Sequence, residues 1–187
     1  MSLIGKELID FKLDAFHNNQ FIEVSNNDLK GKWSVLVFYP GDFTFVCPTE
    51  LEELAHYYDE FKKVGCEVFS VSTDSHFVHK AWFDTSPAIG KVKYPMLADP
   101  TGMLADSLNI LVKESWEALR GSFVINPRGE VVAMEVNDMG IGRSAKDLLR
   151  KVQAAQYVEA NGGEACPANW NPGEDTLKPG IDLVGKI

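Results

Sequence analysis

The cysteine at position 47 is the residue best placed to do chemistry. It stands directly before Pro48, which suits the first turn of a helix, and shortly after an apolar run that ends at Pro40 and Gly41. A thiol at the start of a helix faces unpaired backbone N–H groups and the positive end of the helix dipole, and both favour the nucleophilic thiolate. The alternative is a buried cysteine that serves as a small apolar side chain. The strand-to-helix position favours a reactive Cys47.

Five polar residues could complete a site around this thiol. The Thr44 hydroxyl could donate to the thiolate or to an oxygen-containing substrate, although a loop threonine more often bonds nearby backbone. The carboxylates of Asp42 and Glu50 disfavour a thiolate unless they are paired with a cation. The candidate cations for Glu50 are Arg120, at the start of a predicted strand, and Arg143, just before the last predicted helix. An arginine in a domain interior requires anionic partners, whereas each arginine by itself is more often a solvated surface group.

A β–α–β pattern surrounds Cys47. The short β-branched and aromatic run at 33–39 predicts a buried strand, and the run at 66–72 predicts a second one. Apolar residues at helical spacing predict a helix over 48–64, with acidic residues in its first turns and Gly65 as its C-cap. We therefore expect two parallel strands joined by a right-handed crossover.

The elements that follow alternate in the same way. In chain order, the patterns predict a helix at 75–84, a short strand at 94–98 and a short helix at 101–108. The tetrapeptide Asn126-Pro127-Arg128-Gly129 has the preferences of a type I turn and predicts an antiparallel hairpin of strands 122–126 and 130–136. A final amphipathic helix is expected from Ser144 to about residue 160. This order of elements predicts an α/β, thioredoxin-like fold.

The composition changes near residue 161. Residues 1–161 hold all the predicted strands and helices, and we expect them to form one domain. Residues 162–187 contain three prolines and five glycines, but also large apolar side chains such as Trp170 and Ile181. Because a disordered tail carries fewer large apolar groups, we expect an extended C-terminal arm that packs on another surface, which could belong to a second subunit.

Charge and cysteine usage exclude several classes of protein. The 187 residues include 18 basic and 27 acidic side chains, and the formal net charge of −9 argues against nucleic acid and anionic membranes as partners. The sequence holds no apolar run of membrane-spanning length, and charges interrupt the N-terminus before a signal-peptide core could form. We therefore expect a cytoplasmic protein. Three cysteines are too few for a disulfide-stapled secreted domain.

Several motifs together resemble one family, the peroxiredoxins. The segment Pro40-Gly41-Asp42-Phe43-Thr44-Phe45-Val46-Cys47-Pro48 contains the family signature P-x-x-x-T-x-x-C. Further blocks resemble the typical 2-Cys branch, and within it the bacterial peroxidase subunits of alkyl hydroperoxide reductase: VSTDSHFVHKAW at 71–82, GIGR at 140–143, AAQY at 154–157, EACPA at 164–168 and LVGKI at 183–187. The resemblance covers essentially the whole chain and implies a thiol-dependent peroxidase with a thioredoxin-like fold.

By this resemblance, Cys47 is the peroxidatic cysteine, which a hydroperoxide oxidises to sulfenic acid. Cys166 of the partner subunit is the resolving cysteine, which forms a disulfide with it. Thr44, Arg120 and backbone N–H groups near Cys47 would bind the two peroxide oxygens. Pro40 would shield the thiolate from bulk water.

The resemblance also implies the supporting residues and the redox partners. Glu50 would hold Arg120, together with Arg143. The only redox group is the Cys47–Cys166 disulfide, so no bound cofactor and no metal, haem or flavin is expected. The implied reductant is an NADH-dependent flavoprotein disulfide reductase, with thioredoxin as the second candidate.

The implied assembly is a homodimer, and beyond it a ring-shaped decamer. Phe77, His79 and Trp82 fall where relatives make the dimer-to-dimer contact, although the same residues could form a helix face packed on its own core. His76 and His79 have the spacing of metal ligands but no evident third ligand, so no metal site is expected. Cys66, at the start of a predicted strand, is expected to be buried and structural.

Two other functions stay open on sequence alone. A thioredoxin-type dithiol oxidoreductase would need a C-x-x-C motif, whereas Thr44 occupies the first cysteine position and Pro-Thr-Glu follows Cys47. A redox-gated holdase or peroxide sensor, whose function lies in binding partners, could coexist with peroxidase activity. A purely structural protein would leave the pattern of Thr44, Cys47 and Arg120 unexplained.

Overall fold

A seven-stranded mixed sheet forms the centre of the computed structural model, which describes residues 2–186. The strands are β1 Lys12–His17, β2 Gln20–Ser25, β3 Trp33–Phe38, β4 Cys66–Ser72, β5 Met96–Ala98, β6 Leu111–Val112, β7 Glu117–Ala118, β8 Arg120–Ile125 and β9 Val131–Asn137. The helices are α1 Asn26–Leu29, α2 Cys47–His56, α3 Tyr58–Lys63, α4 His76–Thr85, α5 Met103–Ser107 and α6 Ala145–Ala160, with 3₁₀ turns at Ile89–Lys91 and Ile181–Leu183. Within residues 2–186, every helix is too short or too polar to cross a membrane.

The strand order places β3 and β4 at the centre of the sheet. That order is β2-β1-β5-β4-β3-β8-β9, while β6 and β7 pair with each other as a separate hairpin. Strands β3, β4 and β5 are parallel, and β1 and β8 flank them in antiparallel orientation. The predicted parallel pair and the predicted β8–β9 hairpin are both confirmed.

Both faces of the sheet are covered, which explains the uninterrupted apolar run of β3. Val35 and Val37 point into one buried cluster, which includes apolar residues of α2 and α6. Leu36 and Phe38 point into the opposite cluster, which includes residues of α5 and β8. The central strand is therefore fixed from both sides, and the loop that leads from it to Cys47 starts from a rigid base.

The predicted helix over 48–64 is interrupted by one residue. Helix α2 begins at Cys47, one position earlier than predicted, and ends at His56. Tyr57 has a turn-like backbone (φ −87°, ψ 1°), after which α3 continues to Lys63. Gly65, with φ of +68°, ends this segment as predicted, because the left-handed conformation suits glycine.

An N-terminal hairpin, which no sequence pattern predicted, forms one edge of the sheet. Strands β1 and β2 pair from Lys12↔Ser25 to His17↔Gln20. The two residues between them, Asn18 and Asn19, have φ values of 51° and 57°, as in a type I′ turn. Strand β1 then pairs with β5 and so extends the central sheet.

The C-terminal arm packs on helix α6 of its own chain. The Trp170 side chain is 2% exposed, and its ring centroid lies 5.0 Å from that of Tyr157 in α6. A short antiparallel bridge between Ala165 and Leu177 closes this part of the arm into a loop. Beyond it, Ile181 is 88% exposed, and the final residue of the predicted arm, Ile187, lies outside the described residues.

Candidate active site

The Cys47 side chain lies at the first position of α2 and is fully buried. Its Sγ is 3.4 Å from Nη1 of Arg120, which begins strand β8. Strand β8 pairs with β3, so the sheet brings Arg120 to the loop that carries Cys47, 73 positions away in the chain. A guanidinium group and a helix N-terminus both favour the negatively charged form of a thiol.

Glu50 lies one helical turn after Cys47 and is bonded to both predicted arginines. Nη1 of Arg120 donates to its Oε2 at 2.7 Å. Arg143 donates from Nε to Oε1 at 2.8 Å and from Nη2 to Oε2 at 3.0 Å, and its backbone N–H donates to Oε1 at 2.8 Å. The predicted pairing of Glu50 with Arg120 and Arg143 is present in the fold.

The buried charges of this cluster sum to a net positive charge beside Cys47. Two buried guanidinium groups share the single carboxylate of Glu50, which leaves one positive charge to be balanced. Burial opposes the charge of Arg120, but its contacts with Cys47 and Glu50 outweigh that effect and raise the pKa of Arg120. Burial alone would raise the pKa of Glu50, but Arg143 and then Arg120 lower it. The Cys47 Sγ lies 3.4 Å from the guanidinium group that carries this excess charge.

Two further groups hold the arginines of this cluster, one in the loop before α6 and one in strand β8. The Met139 carbonyl accepts from Nε of Arg120 at 2.7 Å, and the Ser122 hydroxyl accepts from Nη1 of Arg143 at 3.2 Å. A side chain at Gly142 would bring a Cβ to 3.4 Å from Cγ1 of Val46, the residue before Cys47. That is an ordinary van der Waals distance, so the loop before α6 lies directly against the cysteine loop at this point. No sequence motif points to Met139 or Ser122 as partners of these arginines.

Thr44 lies in the same loop as Cys47 but uses its proton locally. Its hydroxyl donates to the Gly41 carbonyl at 2.8 Å. Among residues 2–186 it makes no hydrogen bond to Cys47 Sγ, so the predicted donation to the thiolate is not present in this state. The hydroxyl oxygen keeps its lone pairs and can accept a hydrogen bond from a substrate O–H.

Asp42 is turned away from Cys47 into a buried polar cluster. Its carboxylate accepts from the Tyr39 hydroxyl at 2.8 Å and lies 2.8 Å from Nδ1 of His79. The other ring nitrogen of His79 lies 3.1 Å from the Leu97 carbonyl. Burial raises the pKa of Asp42, with His79 acting in the opposite direction. Asp42 therefore does not face Cys47, and no local motif predicts the cluster, because His79 lies 37 positions further along the chain.

The three residues predicted at an oligomer contact separate into two groups. Phe77 is 62% exposed and packs edge-on against Phe21, with ring centroids 5.2 Å apart. His79 and Trp82 are buried within their own chain, at 0% and 3% exposure. Within one chain, His79 and Trp82 therefore form the inner face of α4 and Phe77 offers exposed surface, while the oligomer contact itself stays a prediction.

The other two cysteines lie in different environments. Cys166 is half-buried, and its Sγ is 3.8 Å from the Ala154 carbonyl beside a groove of about 590 Å³ between the arm, α6 and β9. Burial, and then Glu164, raise the pKa of Cys166. Cys66 is 1% exposed, and burial raises the pKa of its thiol far above the usual range. Cys66 thus has the inert, structural surroundings that the sequence predicted.

The Glu50 ion pairs predict a specific pH dependence of stability. Replacing Glu50 with Gln at pH 7 should lower the free energy of unfolding by about 3 kcal/mol, as is typical when one partner of a buried ion pair is removed. Because the folded-state pKa of Glu50 lies below its usual 4.5, this contribution is present above pH 4.5 and is lost as the pH falls through the lower, folded-state pKa. Urea unfolding of both proteins between pH 7 and pH 3 measures the difference.

The matched control is Glu114→Gln, which neutralises an exposed carboxylate that has no ion pair among the described residues. It should change the unfolding free energy by less than about 0.5 kcal/mol at either pH. A Glu50→Gln deficit that is the same at pH 7 and pH 3 would contradict the assignment of the Glu50 charge as the stabilising group.

The fold and this cluster together define a thiol-based redox enzyme built on a thioredoxin-like sheet. The AhpC/TSA family model matches residues 4–134, and a model described as the C-terminal domain of 1-Cys peroxiredoxin matches residues 154–182. The chain belongs to the AhpC/TSA family. It is a thiol-dependent peroxidase of the 2-Cys type, and this family uses redox-active cysteines, peroxide substrates and a reductase partner.

Similar proteins and structures match nearly the whole chain. Alkyl hydroperoxide reductase C of Bacillus subtilis and that of Salmonella typhimurium are each 54% identical to it over 187 residues, with 100% of both chains covered. The crystal structure of Enterococcus faecalis AhpC is 51% identical, with a TM-score of 0.87 and coverage of 89% of this chain and 100% of that one. The reduced 2-Cys peroxiredoxin of Plasmodium vivax is 37% identical, with a TM-score of 0.92 and coverage of 97% and 96%. The predicted family and fold are confirmed, and the dithiol oxidoreductase alternative finds no support.

Proposed function

We propose that Cys47 reduces hydrogen peroxide and organic hydroperoxides, and that Cys166 of a second copy regenerates it through a disulfide. The observation that carries this proposal is the 3.4 Å contact between Cys47 Sγ and Arg120 Nη1 at the start of α2. This contact places the guanidinium cation of Arg120 beside the nucleophilic sulfur of Cys47 in the buried interior. A buried cation is effective there because little water competes with it.

The first step is a displacement at oxygen. The Cys47 thiolate attacks one peroxide oxygen, an S–O bond forms, and the O–O bond breaks. Sulfur is oxidised, and the attacked oxygen stays on it with its hydrogen as sulfenic acid. The second oxygen leaves as hydroxide or alkoxide, which takes a proton from solvent to become water or an alcohol. Arg120 stabilises the negative charge as it moves from sulfur to the leaving oxygen, since its guanidinium lies beside the reacting sulfur.

The loop before α2 orients the peroxide. Because the Thr44 proton is donated to the Gly41 carbonyl, the Thr44 oxygen serves as an acceptor for the peroxide O–H. Pro40 is buried and provides no N–H, so it excludes water from the thiolate without adding a competing donor. Cys47 has no exposed surface, so a peroxide reaches the sulfur as this loop shifts.

The second step forms the disulfide. The Cys166 thiol attacks the sulfenic sulfur of Cys47, an S–S bond forms, and water leaves. Within one chain the two thiols lie against different elements, Cys47 beside Arg120 and Cys166 beside the Ala154 carbonyl of α6. A bridge therefore requires movement of α2 and of the arm, and the arm of a second copy is the proposed source of Cys166.

The remaining partners follow from the same cycle. A flavoprotein disulfide reductase that draws electrons from NADH is the proposed reductant, with thioredoxin as the alternative.

We propose a homodimer that assembles into a ring, with the exposed Phe21 and Phe77 pair as part of the ring contact. The proposed location is the cytoplasm. Phe77→Arg, compared with wild type by analytical ultracentrifugation, tests the ring contact.

The Cys166 assignment is tested by adding one equivalent of hydrogen peroxide to the reduced protein. We expect wild type to run as a disulfide-linked dimer on a non-reducing gel, and Cys166→Ser to remain monomeric with one sulfenic acid per chain. Cys66→Ser is the matched control, because its buried thiol takes no part, and it should form the dimer like wild type. A wild-type protein whose thiols are unchanged by peroxide would overturn the proposed cycle. Loss of two thiols per chain without a dimer would place the bridge within one subunit.

A further inference from the structure

Several contacts hold helix α2, including a hydrogen bond from the Ala145 N–H of α6 to the Glu53 carboxylate at 2.8 Å, and two sets of them bear on its unwinding. Its first turn is fixed through Glu50, which bonds Arg120 and Arg143, and through the buried Cys47 side chain. Both fixed points belong to the reacting cluster. Oxidation of Cys47 to a neutral sulfenic acid removes the thiolate charge that Arg120 balances, so this first set weakens during each turnover.

The second set of contacts begins one residue after Glu50 and is independent of the reacting sulfur. The Tyr94 hydroxyl donates to the Leu51 carbonyl at 2.9 Å, and both side chains are buried. Lys91, in the segment just before Tyr94, forms an ion pair with Glu52. These contacts tie α2 to the 89–94 segment, which leads into β5 and the sheet.

Tyr94 has no other described role in the site. Its ring is 1% exposed, it does not contact Cys47 or its arginines by any hydrogen bond, and its hydroxyl has Leu51 as its partner. Burial raises the pKa of Tyr94, so the hydroxyl stays protonated and remains a donor at the pH at which the thiolate reacts. A buried donor bonded to a helix carbonyl stabilises the helical conformation at that carbonyl.

We propose that Tyr94 is a positioning residue that stops the unwinding of α2 at Leu51. The inference rests on the proposed function, in which α2 must open for Cys47 to meet Cys166. Residues 47–50 unwind after oxidation, while the contact between Tyr94 and Leu51 keeps the rest of α2 helical. Tyr94 thereby sets how readily the sulfenic acid leaves its pocket, and hence how it divides between two fates. One fate is the disulfide with Cys166, and the other is reaction with a second peroxide, which gives sulfinic acid and water or alcohol.

The test compares Tyr94→Phe with Tyr58→Phe, a matched loss of one hydroxyl. Tyr58 lies beside Tyr94, with ring centroids 5.9 Å apart, but among the described residues its hydroxyl makes no hydrogen bond. Each protein is cycled with a reductant at increasing hydrogen peroxide, and mass spectrometry counts sulfinic acid and disulfide at Cys47. For Tyr94→Phe we expect the peroxide concentration that gives half sulfinic acid to rise about five-fold, the factor that corresponds to one neutral hydrogen bond. Tyr58→Phe should behave as wild type.

If the ratio of sulfinic acid to disulfide at Cys47 is the same in Tyr94→Phe and Tyr58→Phe, the proposal is overturned. In that case, disulfide formation by the wild type still supports the proposed function. A wild type that forms neither sulfenic acid nor disulfide defeats both. A general loss of stability would shift the melting temperature without selecting between disulfide and sulfinic acid, so the partition separates positioning from a merely structural role.

A second measurement locates the residue at which the unwinding of α2 ends, in a protein that keeps Tyr94. In oxidised Cys166→Ser, hydrogen exchange of the amides of residues 51–54 should accelerate, because these amides bond the carbonyls of residues 47–50 in a helix. The amides of Ala55 and His56 bond carbonyls from Leu51 onward and should remain as slow as in the reduced protein. Joint acceleration of all these amides would show that α2 opens past Leu51 and would overturn the proposal.

Discussion

Cys47→Ser is expected to lose peroxidase turnover by on the order of 10³-fold or more, the range found when an enzyme nucleophile is removed. A serine hydroxyl at the start of α2 stays protonated at neutral pH, so the cluster around Arg120 then has no nucleophilic anion to orient. Peroxide consumption coupled to a disulfide reductase measures the loss. The fold should be retained, because the replacement is nearly isosteric and the Glu50 ion pairs are untouched.

Cys66→Ser is the control that separates chemistry from packing. Both cysteines are buried, but Cys66 lies at the start of β4, where its Sγ donates to the Glu67 carbonyl. It should keep wild-type turnover, with at most a modest loss of stability. Retained turnover in Cys47→Ser would disprove the assignment of Cys47 as the reacting group.

Arg120→Gln is expected to slow the oxidation of Cys47 by about 10²–10³-fold, the effect of removing one preorganised group that stabilises transition-state charge. Glutamine keeps a polar side chain at the start of β8 but lacks the positive charge that faces Sγ. Arg143 continues to hold both oxygens of Glu50, so the helix keeps its anchor. Rapid mixing with hydrogen peroxide, followed by sulfenic acid trapping, isolates this step from disulfide formation.

Arg128→Gln is the matched control for loss of an arginine charge. Arg128 is exposed and pairs with Glu130 and Glu159, so its replacement removes one positive charge, as Arg120→Gln does, but from the surface. It should leave the oxidation rate within about two-fold of wild type, because exposed ion pairs contribute little. Equal rates for Arg120→Gln and wild type would show that the Arg120 contact has no part in the reaction.

The features that the sequence predicted well are those that depend on neighbouring residues. The strand before Cys47, the Gly65 helix end and the 126–129 turn each follow from local preferences, and the structure has all three. The spacing of apolar residues predicted α6 and its Ser144 N-cap, because these too depend on neighbouring residues. The interruption at Tyr57 was not predicted, because the apolar spacing continues through it.

The features that the sequence left open depend on distant contacts. The N-terminal hairpin has weak strand patterning and is completed by pairing with β5, some eighty residues later. The candidate cations for Glu50 could be named from the sequence. Their hydrogen bonds to Glu50 could not be derived from it, because Arg120 and Arg143 lie 70 and 93 positions away in the chain. The inward direction of His79 likewise follows from its contact with Asp42, which no helical pattern encodes.

The packing of Trp170 gives the redox cycle an optical signal. Of the four tryptophans, Trp170 is the one on the arm, four residues after Cys166, and its indole is buried against Tyr157. The emission wavelength of an indole depends on the polarity around the ring. The intrinsic fluorescence of the protein should therefore depend on whether the arm is packed on α6. Unlabelled protein can thus report arm position in real time, during the same reaction that joins the two sulfurs.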